Sequence, residues 1–312
     1  MMTYKPEGHL LSSAENKRYL SGLAPLHEAQ SAGAVLEARV IRCDGEHNLH
    51  VDLNGMRGII PRNEGASGIC EGRVRDIALI SRVNKPVSFR VIGFENDSQG
   101  APRAVLSRKS VQEDCFNEYV MKLSVGDVIP ATVTHIESFG AFCDIGAGIN
   151  ALMPIDCLSV SRIPHPSARF SAGQSIFAVV KSIDELGRVT LSHKELLGTW
   201  EQNVERLKIG ETVPGIVRSV EKYGIFVELA PNLAGLAEFS EGVSVGSHAG
   251  VYIKNIIPQK MKVKLIIVDS FDADYPVEKP EYFITQGHID RWVYSPEGCP
   301  RVVETVFNQE AQ

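Results

Sequence analysis

One stretch of this chain is written twice, and that repetition limits the folds open to it. "VGDVIPATVTHIESFGAFCDI", starting at Val125, aligns without a gap on "IGETVPGIVRSVEKYGIFVEL", starting at Ile209, an offset of 84 residues. Gly126/Gly210, Pro130/Pro214, Val133/Val217, Glu137/Glu221, Gly140/Gly224 and Phe142/Phe226 are identical across it. Upstream, "LEARVIRCDGEHNLHVDL" (36–53) has the same shape at weaker identity. The ends repeat as well, with "RAVLSRK" (103–109), "RVTLSHK" (188–194) and "KVKLIIV" (262–268) in equivalent places. The chain is therefore read as three copies of one unit of roughly 70 to 80 residues.

Each copy reads as strands. "IPATVTHI" and "VPGIVRSV" are rich in β-branched residues and end before a glycine. "AFCDI" and "IFVEL" alternate, and further short runs follow between Gly, Pro and Ser. Five short strands with no long helix predict a mainly β chain of three tandem OB-type, five-stranded barrels with a small C-terminal β extension. Between copies the period changes. Leu196, Trp200 and Val204 recur every four residues, and Phe116, Val120 and Leu123 behave similarly, which predicts amphipathic linker helices. The expected layout is an irregular and helical segment at 1–32, a degenerate barrel at 33–110 and a linker helix at 111–124. A second barrel at 125–194, a linker at 195–208, a third barrel at 209–270 and a strand-forming extension at 271–312 complete it.

Neighbouring side chains on a strand face opposite ways. Ala141, Cys143 and Ile145 share one face and Phe142 and Asp144 the other; Ile225, Val227 and Leu229 oppose Phe226 and Glu228. In "LHVDL", Leu49, Val51 and Leu53 oppose His50 and Asp52. Ionised carboxylates avoid full burial without a partner, so the apolar triplets are expected inside and Phe142 and Phe226 outside. Phe139 and Tyr223 precede these rings by three residues, with Gly140 and Gly224 between. A glycine bulge that resets the alternation would put both aromatics on one outer face. Single-stranded nucleic acid stacks its bases on such rings while Lys and Arg follow the phosphates. Arg188, Lys194, Lys254 and Lys262 are the nearest candidates for that second role.

The net charge of −6 argues against a protein that simply coats nucleic acid, but the bases are segregated. Residues 54–109 hold ten Lys or Arg against five acids, and 251–269 hold four against one. The six cysteines stand singly, with no CxxC, so neither a zinc site nor a disulfide framework is expected. No apolar run approaches membrane-spanning or signal-peptide length, which makes a cytoplasmic protein the expectation.

FGAF, "KSIDELGRVTLSHKELL", "GTWEQN" and the repeat spacing together resemble the S1 family, the OB-type RNA-binding module named for small-subunit ribosomal protein S1. The resemblance covers about residues 33–270, and the chain as a whole is similar to the short S1-like proteins of clostridium-type bacteria. It implies a nucleic-acid surface of two aromatics, a His, an Asp and an Arg. Those positions fall on Phe139, Phe142, Pro154, Asp184 and Arg188 in the second copy. In the third they fall on Tyr223, Phe226, Glu238, Pro258 and Lys262, and in the first on His47, His50, Pro61, Gln99 and Arg103. The implied partners are single-stranded mRNA and the small ribosomal subunit, with no cofactor, small-molecule substrate or membrane. The degenerate first copy is the candidate for a protein contact.

Two other classes compete. An enzyme finds little support: there is no Walker loop, HExxH, GxSxG or acidic metal cluster, and "HNLH" (47–50) spaces its imidazoles wrongly for one strand face. Ser192 in "SHK" has no acid–base partners visible in the sequence. A protein–protein adaptor, or a regulator of RNA turnover or transcription built from degenerate barrels, remains the alternative.

Overall fold

The alternating runs close into barrels. A computed structural model describes residues 4–97, 100–276 and 279–307. The first barrel contains β1 (Leu36–Cys43), β2 (Leu49–Leu53), β3 (Met56–Ile60), β4 (Pro86–Asn96) and β5 (Pro102–Ser107). The second contains β6 (Val128–Glu137), β7 (Gly140–Asp144), β8 (Asn150–Pro154), β9 (Ser175–Ile183) and β10 (Val189–Ser192). The third contains β11 (Thr212–Glu221), β12 (Gly224–Ala230), β13 (Leu233–Ala237), β14 (His248–Ile257) and β15 (Lys262–Phe271). In the first and third barrels the chain runs as an antiparallel meander of three strands, and the third strand closes the barrel by pairing parallel to the fifth. The fold is mainly β, with three closed five-stranded barrels.

The chain forms two compact units. The first comprises residues 1–123 with 144–150; the second comprises 124–143 with 151–312. In the first unit, α1 (Ala14–Tyr19) and α2 (Leu23–Ala32) cover the first barrel. They add Tyr19, Leu26 and Ala29 to a core of Val40, Val51, Phe89 and Leu106. A short α3 (Ile77–Ile80) leads into β4, and α4 (Lys109–Glu118) follows β5. The buried stripe of α4 is Val111, Gln112 and Cys115, with Phe116 only half-buried, so the expected Phe116 stripe is rotated.

In the second unit the linker is shorter than its apolar period suggests. It is a single turn at Lys194–Leu197 and then α5 (Trp200–Val204), capped reciprocally by Thr199 and Gln202. Trp200 is buried among residues of the third barrel and the C-terminal extension. That extension carries a small strand pair, β16 (Arg291–Val293) with β17 (Glu304–Val306). It also threads along the second barrel. Gly287 accepts from Val128 N at 3.0 Å, and Ile289 N donates to Gly126 at 2.9 Å. The Tyr282 hydroxyl accepts from Phe177 N at 3.1 Å and meets His193 Nε2 at 3.0 Å. Asn232 ties the third barrel to the same seam, accepting from Val160 N and donating to the Lys194 and Gly198 carbonyls.

Of the three carboxylates expected on the outside, Asp52 is exposed but the other two are not. Asp144 and Glu228 are buried, at 2% and 5% exposure. Glu228 is held by two guanidinium forks, from Arg169 and Arg218, with N···O distances of 2.5–3.0 Å. Burial raises its pKa, but the bonds from Arg218 and Arg169 outweigh it and leave the carboxyl below its ordinary value. Asp144 accepts from the Glu7, Gly146 and Gly148 amides at 2.7–3.0 Å. Burial and the nearby Glu7 carboxylate hold its pKa above the usual range. Glu7 itself is pinned by Arg108 at 2.7 Å and Arg82 at 3.3 Å. Gly148 is required here: its φ is +77°, and a Cβ would sit 1.9 Å from Arg108 Nη2. Paired carboxylates can be buried, so alternation with an acid does not by itself mark a solvent face.

These pairs give the two units opposite responses to pH. The depressed Glu228 stabilises the second unit above its unfolded pKa, and that contribution is lost as pH falls through the lower folded value. The raised Asp144 makes the first unit more stable in acid and less so as pH rises through its folded value. Denaturant titrations over pH should show this divergence, with Glu228→Gln flattening the acid-side loss. Arg169→Ala, which leaves a buried carboxylate with one partner fewer, should cost about 3–5 kcal/mol.

Candidate nucleic-acid interface

The aromatic pairs do assemble, through a turn rather than a bulge. Glu221 pairs with Gly224, so Lys222 and Tyr223 form a two-residue hairpin turn and Gly224 is the first residue of β12. Ser138 and Phe139 occupy the same turn between β6 and β7. The expected glycine bulge is therefore absent at this point. A turn residue is free of the strand alternation, and this lets Phe139 and Tyr223 lean over Phe142 and Phe226. Glycine follows the turn because the neighbouring backbone is close. A Cβ on Gly140 would lie 2.4 Å from the Met153 carbonyl oxygen, and one on Gly224 2.5 Å from that of Ala237.

Phe139 is 54% and Tyr223 72% exposed, whereas Phe142 and Phe226 are half-buried. The outward reading of the inner rings holds as a partly exposed edge and not as free rings. Each pair meets edge-to-face, at 6.0 Å and 89° for Phe139/Phe142 and at 6.2 Å and 84° for Tyr223/Phe226. That geometry is favourable between rings. In the second barrel His135 of β6 stacks beside Phe142 at 6.4 Å and 23°, a third ring that the sequence pattern did not single out.

The basic residues are less uniform. Asp184 closes the β9–β10 turn, accepting from the Leu186 and Arg188 amides at 3.0 and 2.8 Å and from Arg188 Nε at 2.6 Å. Those bonds, led by the Arg188 amide, lower its pKa. Arg188 keeps a 76% exposed side chain. Lys194 lies beyond β10, its Nζ 3.4 Å from the Asp156 carbonyl. Lys254 is paired with Glu238 at 3.2 Å, while Lys262 is exposed. Register brings in another lysine. Phe226 pairs with Leu236, and Leu236 with Lys264, so one outer row crosses β12, β13 and β15 and ends on an exposed amine. Pro154 and Pro61 are half-buried, and Glu238 and Pro258 exposed.

The first barrel differs. His47 sits in a turn at φ +63°, and His50 Nε2 lies 2.8 Å from Asp44 Oδ2. Burial raises the Asp44 pKa, but bonds from His50 and Asn48 bring it down to about 2. Arg103 is bound by Glu95 at 2.7 Å. Gln99 lies outside the described residues; the carboxylate that closes this turn is Asp97, which accepts from the Ala101 amide at 2.9 Å. Among the described residues no group of three metal-ligating side chains is gathered, and no helix is long and apolar enough to cross a membrane. Ser192 does have a partner: it is fully buried and donates to Glu195, which also accepts from Thr305. His193 beside it is buried between the Leu158 carbonyl and Tyr282, and burial lowers its pKa to about 4.

With this geometry in place, residues 122–194 match the S1 RNA binding domain family. The chain is similar to small ribosomal subunit protein bS1 over most of its length. It is 34% identical to that of Leuconostoc lactis over 215 residues, covering 67% of this chain and 48% of the relative. For Staphylococcus aureus the figures are 30% over 251 residues, 78% and 61%. A bS1 homolog of Bacillus subtilis is 35% identical over 199 residues, with 62% and 49% covered. The chain thus spans about half to three fifths of the length of these relatives. Among solved structures, a multidomain protein with nucleic acid binding domains from Streptococcus pneumoniae covers 77% of this chain and 75% of its own at 16% identity, with a TM-score of 0.25.

The turn geometry separates architecture from recognition. Gly224→Ala should lower stability by about 1–3 kcal/mol in denaturant titration, because the new methyl meets backbone. Tyr223→Ala, on an exposed turn, should stay within about 0.5 kcal/mol of the parent.

Proposed function

We propose that this chain is a non-catalytic single-stranded RNA binder that acts with the small ribosomal subunit, holding mRNA on the outer faces of its second and third barrels. The observation that carries this reading is the exposed edge-to-face aromatic pair, built at the same hairpin turn in both barrels. Bases stack on Phe139 and Tyr223, with Phe142 and Phe226 backing them. Arg188, Lys194, Lys254, Lys262 and Lys264 contact phosphates. Asp184 acts by orienting Arg188. Stacking on rings and tracking of the backbone carry little sequence preference. Similarity to bS1, a protein named for the small ribosomal subunit, supports the placement in translation.

The first barrel is assigned to a protein contact, which keeps an adaptor role within the same chain. What favours this is the loss of the aromatic pair: His50 is engaged by Asp44, and Arg103 by Glu95. The RNA-facing residues His47, His50 and Arg103 then contribute at most a weak electrostatic contact.

Titration of a fluorescent single-stranded RNA tests the assignment. Phe139→Ala and Tyr223→Ala should each weaken binding by about 1–3 kcal/mol, and duplex RNA should compete poorly. The logarithm of affinity should fall with that of salt at about −0.7 per neutralised phosphate. Equal binding by parent and variants would remove the aromatic sites, and absence of binding would leave the adaptor role alone.

A further inference from the structure

The three barrels share one outer sheet face that is covered in two of them and, among the described residues, exposed in the third. It is formed by the first, fourth and fifth strands of each barrel. Register fixes the equivalence. Val128 pairs with Val179, Val179 with Ser192, and Pro130 with Phe177 in the second barrel. In the third, Thr212 pairs with Tyr252, Tyr252 with Ile266, and Pro214 with Gly250. In the first, Glu37 pairs with Ser88, and Arg90 with Ser107.

In the first barrel the chain's own N-terminal segment lies on this face. The amides of Gly8, Leu10 and Leu11 donate to Glu37, and Glu7 accepts from Ser88 N. Arg90 pairs with Asp114 of α4. In the second barrel the C-terminal extension lies there: Tyr282 packs on Phe177 at 5.3 Å, and Gly287 accepts from Val128. Val179 is consequently fully buried.

In the third barrel Tyr252, Ile266, Val268 and Phe271 are 37%, 43%, 62% and 46% exposed. β15 runs on where the other two barrels turn into a helical segment. Its His248–Phe271 register stacks those rings at 6.1 Å, and Tyr275, 61% exposed, closes on His248 at 4.8 Å. Gly250, opposite Pro214 and between Tyr252 and His248 on β14, gives room to the Asp269 carboxylate, which accepts from its amide at 3.1 Å. An apolar surface of this kind on a chain that covers its two equivalents marks an interface.

Charge selects the occupant. Along β15 and just beyond it, exposed side chains run from bases (Lys262, Lys264) through a largely apolar stretch (Ile266, Val268, Phe271), in which Asp269 is turned onto the Gly250 amide, to acids (Asp272, Asp274). The acid end repels phosphates, which argues against RNA over the whole strip. A strip positive at one end, apolar in the middle and negative at the other is complementary to itself under a two-fold axis. The lysines of one copy then meet the aspartates of the other, in competition with the phosphate contacts proposed for Lys262 and Lys264, and Ile266 and Val268 pack at the centre. We propose that this face of the third barrel is an isologous dimer interface between two copies of the chain.

Sedimentation analysis of the full chain at micromolar concentration tests this. The expected result is a dimer that Val268→Asp converts to monomer with unchanged circular dichroism and melting. Lys262→Glu/Lys264→Glu and Asp272→Lys/Asp274→Lys should each be monomeric alone and should form a heterodimer when mixed. A monomeric parent would overturn the proposal, as would a dimer untouched by Val268→Asp or charge variants that fail to pair. A monomeric parent whose RNA affinity drops on Val268→Asp would give the face to RNA instead.

Discussion

The carboxylate of Glu228, gripped by two guanidinium groups, is the contact on which the second unit's interface depends. It lies two residues after Phe226 on the same strand face, so the clamp that holds it also holds the strand carrying the aromatic pair. Asp144 stands at the same place relative to Phe142, held by the amides of Glu7, Gly146 and Gly148. Buried ion pairs of this kind add little net stability over well-packed apolar residues, yet removing one partner is costly. Their effect here is to fix one register: a strand slip would leave a buried charge unpaired as well as turn the apolar triplet outward. The aromatic rings are thus presented on a framework that has few alternatives.

The same logic explains how the extension serves the site. Tyr282, Gly287 and Ile289 lie along the second barrel, while Tyr294 and Asn232 join that seam to the third. Within this unit the two proposed RNA faces are carried on one packed body. Two weak sites so joined bind one strand with an affinity neither reaches alone, provided the strand can span them.

Much of this was legible in the sequence. The 84-residue offset and the alternation of Ile225, Val227 and Leu229 with Phe226 specify a barrel strand and its inner face without reference to anything distant. Phe142 and Phe226 keep an exposed edge although Asp144 and Glu228, which alternation puts on the same strand face, are buried. Their long-range partners, the Glu7 amide for Asp144 and Arg169 and Arg218 for Glu228, come from other elements, and no local pattern announces them. Nor does local pattern reveal Lys264 in the row of Phe226, or His135 beside Phe142, because both depend on pairing between strands. The turn position of Phe139 and Tyr223 was readable from a two-residue gap between strands, but the following glycine suggested a bulge. Asp97 closes a turn of the same length as the Asp184 turn, but matching Arg103 to Arg188 points two residues too far along, to Gln99.

The central claim is that RNA bases sit on the hairpin-turn aromatics. Ultraviolet crosslinking of the intact chain to a single-stranded RNA, followed by mass spectrometry of the nucleotide-bearing peptides, tests it most directly. The account predicts adducts on Phe139 or Phe142 and on Tyr223 or Phe226, lost under excess unlabelled single strand. Adducts confined to the first barrel or to the lysine-rich strand β15, with these four rings unmodified, would contradict it.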